Sequence, residues 1–413
     1  MKTATVNRKK VLDDYRRFFP AAALDRMHSE GLDIVEVERD GAFIFDEKGR
    51  RYIDCIASAS VYNLGRRPRG VTTAFKKALR ETDQGNFPMI SREKAALAAK
   101  IAAFAPSGLE CVVFSVTRGE SVDFACKLVR GATGRSGIVT VDGSWFGQTG
   151  FALSLSERAN REMYGPLIPA VDTIPFGDFS SAARAITDTT AAVILEPLQA
   201  ENGCRAAYPE YLAEIRRLCD ARGAALIFDE TQSGLGRTGR KFFLEYSGIL
   251  PDVLVMGEAL GAGVFPIAAT VFTKKLNRFM NRHPLIHLST FGGADLGCMA
   301  GIAALDLYER LKPWENAEVM GRRLRSGIER ALRGRRRPNG MVSGAGLLLA
   351  IDLGSPENAL SFCRAAARSG ILVKPGDVDA SSVLIRPSLL ITPTQTNEII
   401  GAVEKAAADI KFI

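Results

Sequence analysis

The residues best placed for chemistry are Asp229 and Glu230, within the run Ile227-Phe228-Asp229-Glu230-Thr231-Gln232-Ser233-Gly234-Leu235-Gly236-Arg237-Thr238-Gly239. The pair follows directly on Ala224 to Phe228, an apolar run that reads as a buried strand. A carboxylate at the carboxyl end of a sheet strand can pair with a ring cation and hold it protonated, and open sheets bind ligands at that edge. Alone, such a pair is equally an acidic turn that closes a strand. The other reactive types are sparse. His28, His283 and His287 are too few for a histidine-built metal centre. Seven cysteines are scattered without a CxxC pair, which argues against a disulfide framework or a zinc site and for a reducing cytoplasm.

The elements that must position these residues follow from hydrophobic periodicity. Cys111 to Ser115, Gly137 to Val141, Ala191 to Leu195 and Ala224 to Phe228 are short continuous apolar runs, with helical patterns over Glu120 to Val129 and Tyr211 to Arg222 between them. Such alternation predicts a mostly parallel sheet with helices on both faces. Before it, Ile34 to Ile56 reads as a small β unit, and Arg69 to Thr82 and Ser91 to Ala105 read as helices. After about Glu315 the pattern is helix, strand (Gly346 to Asp352), helix (Pro356 to Ser369), strand (Ile371 to Lys374) and a last helix over Thr396 to Ile410 with Thr396 as its N-cap. The expected division is 1–56 for an N-terminal segment and β unit, 57–312 for a large α/β domain, and 313–413 for a small α+β domain.

The net charge of +8 concentrates partly in Arg333-Gly334-Arg335-Arg336-Arg337, before the turn signal Pro338-Asn339-Gly340. No aromatic residue interleaves with the run, so a solvated helix end is expected in preference to a nucleic-acid site. Met1 to Lys10 is basic with no apolar stretch behind it, and no run is long enough to span a membrane.

Taken whole, the Asp229 segment resembles the signature of class III aminotransferases, the ornithine and 4-aminobutyrate type, whose pattern (D/E)E-x-Q-x-G-x-GRTG is intact here. The resemblance extends along nearly the entire chain: Glu196-Pro197-Leu198-Gln199 matches EP-x-Q, Thr290-Phe291-Gly292-Gly293 matches TFGG, and Pro251-Asp252 with Val253 to Val255 matches the approach to the family's lysine. Gly41, Asp46, Gly49, Tyr52 and Asp54 match the N-terminal β unit, and Gly344-Ala345-Gly346-Leu347 the C-terminal G-x-GL. This implies the fold type I architecture, with the smaller α+β domain built from both chain ends. It also implies a homodimer and the pyridoxal phosphate cofactor, whose protonated ring is an electron sink. By the same resemblance Asp229 is the pyridine-nitrogen partner, Gln232 the partner of the ring hydroxyl, Thr290 a phosphate ligand lent by the neighbouring subunit, and Glu196 the acidic residue near the substrate.

The departures from the family pattern are as informative. Met256-Gly257-Glu258-Ala259-Leu260-Gly261-Ala262-Gly263 aligns with S/A-K-x-L-G-x-G, with Gly257 for the small residue before the lysine, and Glu258 stands where the Schiff-base lysine belongs. A carboxylate forms no imine; Lys274 and Lys275 lie beyond the next strand and are no substitutes. In the phosphate cradle, Val116-Thr117-Arg118-Gly119-Glu120 has Arg118 in place of a glycine; Thr117, Gly119 and the helix start can still hold phosphate, and Arg118 either adds a contact or fills the space. The stacking aromatic is Trp145 or Phe146, without the histidine that usually follows. The usual arginine before the C-terminal PPL motif aligns with Leu384, which leaves Arg386 as candidate for the α-carboxylate, and Gly65-Arg66-Arg67-Pro68 again lacks the family's histidine.

Two readings follow. In one, pyridoxal or pyridoxamine phosphate binds without a covalent link and Glu258 serves as acid/base catalyst; retention of Asp229 and Gln232 favours it. In the other, Glu258 and Arg118 pair and fill the pocket, or bind another ligand, and the protein is a cofactor-free enzyme or a non-catalytic partner subunit.

Overall fold

The computed structural model describes residues 6–86, 88–157, 161–333, 342–408 and 410. Seven strands form the central sheet, in the spatial order Leu109–Ser115, Ala268–Thr273, Val253–Met256, Ala225–Asp229, Thr190–Leu195, Gly137–Val141, Val171–Ile174. Ala268–Thr273 runs antiparallel to both neighbours, and the other pairings are parallel. Successive strand residues feed opposite faces. Val193, Leu195, Leu226, Phe228, Leu254 and Met256 join one core cluster, while Ala192, Ile194, Ala225, Ile227, Val253 and Val255 join another. Apolar residues are needed at every position, which is why these strands read as continuous runs. Helix Arg118–Thr133 covers the second face with Phe124, Leu128 and Val129 fully buried.

The expected helices are Arg69–Glu81, Arg92–Phe104 and Pro209–Arg222. Ser91 caps the second by accepting from the Lys94 N–H. The small β unit is an antiparallel array of Glu36–Asp40, Phe43–Asp46 and Arg51–Asp54.

Several details of the C-terminal third differ from the sequence reading, among them a strand at Val342–Ala345 that pairs with Leu348–Asp352. The segment Ile371 to Lys374 is not one strand. Ile371–Leu372 pairs in parallel with Ile53 and Asp54 of the N-terminal sheet, whereas Lys374–Pro375 joins a second sheet beside Ser382–Ile385. Ser382–Ile385 is itself an unforeseen strand, paired with Leu348–Asp352. Thr396 is not an N-cap: the last helix is Pro393–Ala408, and Thr396 is buried within it, donating to the Thr392 carbonyl at 2.9 Å. Thr392 and Gln395 instead exchange side-chain-to-backbone bonds of 2.9 and 3.2 Å, a capping box with Pro393 at the first helical position.

Arg237 binds these parts together. Fully buried, it donates to Asn63 Oδ1 at 2.6 and 3.2 Å, to the Leu347 carbonyl at 2.9 Å and to the Pro387 carbonyl at 2.5 Å. Burial without a hydrogen-bonded carboxylate lowers its pKa to about 9. Of the basic run, Arg333 is described and residues 334–341 lie outside the described set, so most of that run and the turn after it are not placed. Among the described residues no helix is long and apolar enough to cross a membrane.

Candidate functional site

Asp229 ends its strand in register with Val255, so the acidic turn and the Gly257–Glu258 turn emerge side by side at one sheet edge. Their closeness needs Gly257: a Cβ there would lie 2.7 Å from the Thr231 carbonyl oxygen. Ser115, which precedes the helix at Arg118, pairs with Ala268 at the same edge. Lys274 follows the opposite end of Ala268–Thr273, paired with Glu110 at 2.5 Å, and so lies away from the edge that carries Glu258.

Arg118 sits at the centre of this edge. Its Nε donates to Asp229 Oδ2 at 2.8 Å, its Nη2 to Glu196 Oε1 at 2.6 Å, and its backbone N–H to Glu258 Oε1 at 2.9 Å. The remaining carboxylate oxygens of the first two are also used: Asp229 Oδ1 accepts the Thr231 N–H at 2.9 Å and Glu196 Oε2 the Trp145 N–H at 2.8 Å. The Arg118, Asp229 and Glu196 side chains are buried. Burial opposes the charge on Arg118, but the two carboxylates outweigh it and raise its pKa, so it remains a cation. Burial and the nearby Asp229 charge raise Glu196 to about 7 against the pull of Arg118.

The helix start lies at this same edge. Thr117 is the N-cap, and Glu120 reaches back to the Val116 N–H at 2.7 Å. The Trp145–Thr149 turn lies on it through Gly147, whose φ of +122° and 3.1 Å spacing from its Cβ position to Gly119 Cα suit only glycine. Of the two aromatic candidates, Phe146 is fully buried in the core beneath the helix and cannot face a ligand; Trp145 is half-buried at the turn.

Gln232 and Arg386 are also already engaged. Arg386 Nη1 donates to Gln232 Oε1 and, at 2.7 Å, to Glu201 Oε1. Glu201 also pairs with Lys374 at 3.4 Å and accepts the Asp377 N–H at 3.1 Å. Burial would raise its pKa, but Arg386 and Lys374 override it and lower it to about 2. Glu201 is absent from the sequence-derived set, although it lies just beyond the Glu196-Pro197-Leu198-Gln199 motif; nothing in its own context marks it. Thr290 is exposed. Among the described residues no group of three or more His, Cys, Asp or Glu side chains is placed to hold a metal ion.

The mostly parallel seven-stranded sheet with helices packed against it is the fold type I architecture. The family model for class III aminotransferases matches residues 25–407, and the chain belongs to that family. An uncharacterized aminotransferase of Archaeoglobus fulgidus is 35% identical over 381 residues, covering 91% of this chain and 90% of the relative. Among solved structures, ornithine aminotransferase from Toxoplasma gondii ME49 superposes with a TM-score of 0.90 at 24% identity, covering 97% of this chain and 95% of the other. An amine transaminase from an uncultivated Pseudomonas species, in its PLP-bound internal aldimine form, superposes with a TM-score of 0.84 at 24% identity over 91% and 94%.

As they stand, this chain's residues do not fit pyridoxal phosphate. The Asp229 oxygen that would accept from a ring N–H accepts from Arg118. The helix-start N–H of Arg118 that would meet a phosphate is held by Glu258, whose own charge would repel one.

Proposed function

We propose that this chain is a class III homologue that does not transaminate: its pocket takes a small molecule without an imine, and its remaining chemistry is proton transfer. The observation that carries this is the Glu258 carboxylate at the sheet edge beside Asp229, where the motif resemblance leads one to expect a lysine, with Lys274 at the opposite end of its strand. Glu258 is partly exposed, and only its Oε1 is used by Arg118, which leaves Oε2 to give or take a proton. The reading of a cofactor held without a covalent link loses its main support, because Asp229 and Gln232 each have a protein cation to hold. A cytoplasmic setting belongs to the same reading and rests on the unpatterned cysteines. The test is to incubate the protein with pyridoxal phosphate, reduce with borohydride and map the peptides, alongside amino-transfer assays over a panel of amino donors. No lysine adduct and no transfer are expected; either one would overturn the reading.

The same reading makes the chain a homodimer in which Thr290 approaches the partner's pocket. Leu285, Leu288 and Phe291, which bracket Thr290, are 75%, 60% and 57% exposed, an apolar surface suited to burial against a second copy. Sedimentation at micromolar concentration should give a dimer, and Leu288→Asp with Phe291→Asp should shift it to monomer. A monomeric wild type would refute the assignment.

A further inference from the structure

We infer that Arg118 and Glu258 are a built-in replacement for the cofactor, so that the site is closed to vitamin B6 phosphates by the chain's own side chains. The inference deepens the non-transaminating reading and rests on it.

Charges of the cofactor's kind stand at the cofactor's contact points. A protonated pyridine ring offers Asp229 one N–H donor on a delocalised cation. Arg118 offers the same thing, a planar cation whose Nε donates at 2.8 Å. A phosphate offers anionic oxygens to the N–H groups of a helix start. Glu258 offers a carboxylate oxygen to the first of them, at 2.9 Å. The replacement is sequence-encoded at two positions that are far apart in the chain and meet only in the fold. Neither change stands well alone. Arg118 without a ring to displace it needs Asp229 and Glu196, and both face it, buried. Glu258 needs donors, and the helix start supplies one.

The alternative is that Arg118 swings aside and grips the phosphate of a bound cofactor. That would strip Glu196 and Asp229 of their cation in a buried setting and bring a phosphate against Glu258. The two arrangements predict opposite results for one experiment.

Wild type, Glu258→Lys, Arg118→Gly, and the double variant are each incubated with pyridoxal phosphate or pyridoxamine phosphate, dialysed and scanned by absorbance, with near-ultraviolet circular dichroism to confirm folding. Wild type should retain neither compound. Glu258→Lys alone should also retain neither, because Arg118 still fills the ring position. The double variant should bind pyridoxal phosphate and condense its new amine with the aldehyde, releasing water, to give an imine that borohydride fixes and peptide mapping places at residue 258. Arg118→Gly should gain at least tenfold in retention over wild type, without any borohydride-fixed adduct. Saturable retention by wild type, released on denaturation, would overturn the built-in replacement while leaving the non-transaminating reading intact. Imine formation by Glu258→Lys alone would overturn the role of Arg118. A borohydride-fixed adduct on wild type would instead refute the non-transaminating reading. The wild-type incubations need no substitution, so poor folding of the double variant does not shield the inference.

Discussion

Asp229→Ala should lower the free energy of unfolding by about 3–5 kcal/mol, the range for removing one partner of a buried ion pair. In an aminotransferase whose aspartate faces a ring, the same change without cofactor would remove a lone buried charge and cost little. Here it leaves the Arg118 guanidinium buried with Glu196 alone and takes the acceptor from the Thr231 N–H. Asp229→Asn keeps the shape and an acceptor but not the charge, and should fall between, at roughly 1–3 kcal/mol. Arg118→Met should partly rescue Asp229→Ala, because the stranded cation is then gone; a double-mutant cycle should return a coupling of about 1–3 kcal/mol. Urea unfolding of the four proteins checks this. A cost below about 1 kcal/mol for Asp229→Ala, or no coupling, would mean that the contact contributes nothing to stability.

Much of the fold was legible because burial acts on every residue of the central strands. When both faces of a strand are covered, composition alone marks it, and Gly137–Val141 is found at its expected limits. Short strands escape this logic. Ile371–Leu372 and Lys374–Pro375 are two residues each and are defined by partners in different sheets, which no local pattern records. The site was legible to a different depth. Motifs brought Glu196, Asp229, Glu258 and Arg118 to one edge, since each ends or follows a strand of the same sheet. They did not say which atoms meet. An Arg118–Glu258 ion pair is the natural expectation for opposite charge changes on facing loops. The actual bond is from the Arg118 backbone, and the guanidinium turns to Asp229 and Glu196 instead. Likewise Asp229 and Gln232 look like residues kept for a cofactor until their partners, Arg118 and Arg386, are seen. Arg386 is candidate for a ligand's carboxylate by sequence, but Glu201 is the carboxylate it holds.

The second large effect is a pH dependence centred on Glu230, the neighbour of Asp229 that points away from Arg118. Its carboxylate accepts from the Phe243 N–H at 2.5 Å, the Leu244 N–H at 2.8 Å and the Ser233 hydroxyl at 3.0 Å, closing the turn after the signature motif. Burial raises its pKa from the ordinary 4.5 to about 7, despite those three donors. A carboxyl whose folded pKa is raised keeps its proton in the folded chain where the unfolded chain has lost it. Between pH 4.5 and about 7 the folded state therefore binds more protons, and stability falls as pH rises through that window. The fall from this one group amounts to about 3 kcal/mol. Glu230→Gln cannot titrate, and it gives up one acceptor. The variant should be less stable than wild type at the acid end of the window, and the gap should close by about 3 kcal/mol toward the alkaline end, where wild type alone carries the buried charge. Urea unfolding of both proteins across the window decides it: a gap that stays constant with pH would mean that Glu230 titrates alike in the folded and unfolded chains, and that its three donors fully offset its burial.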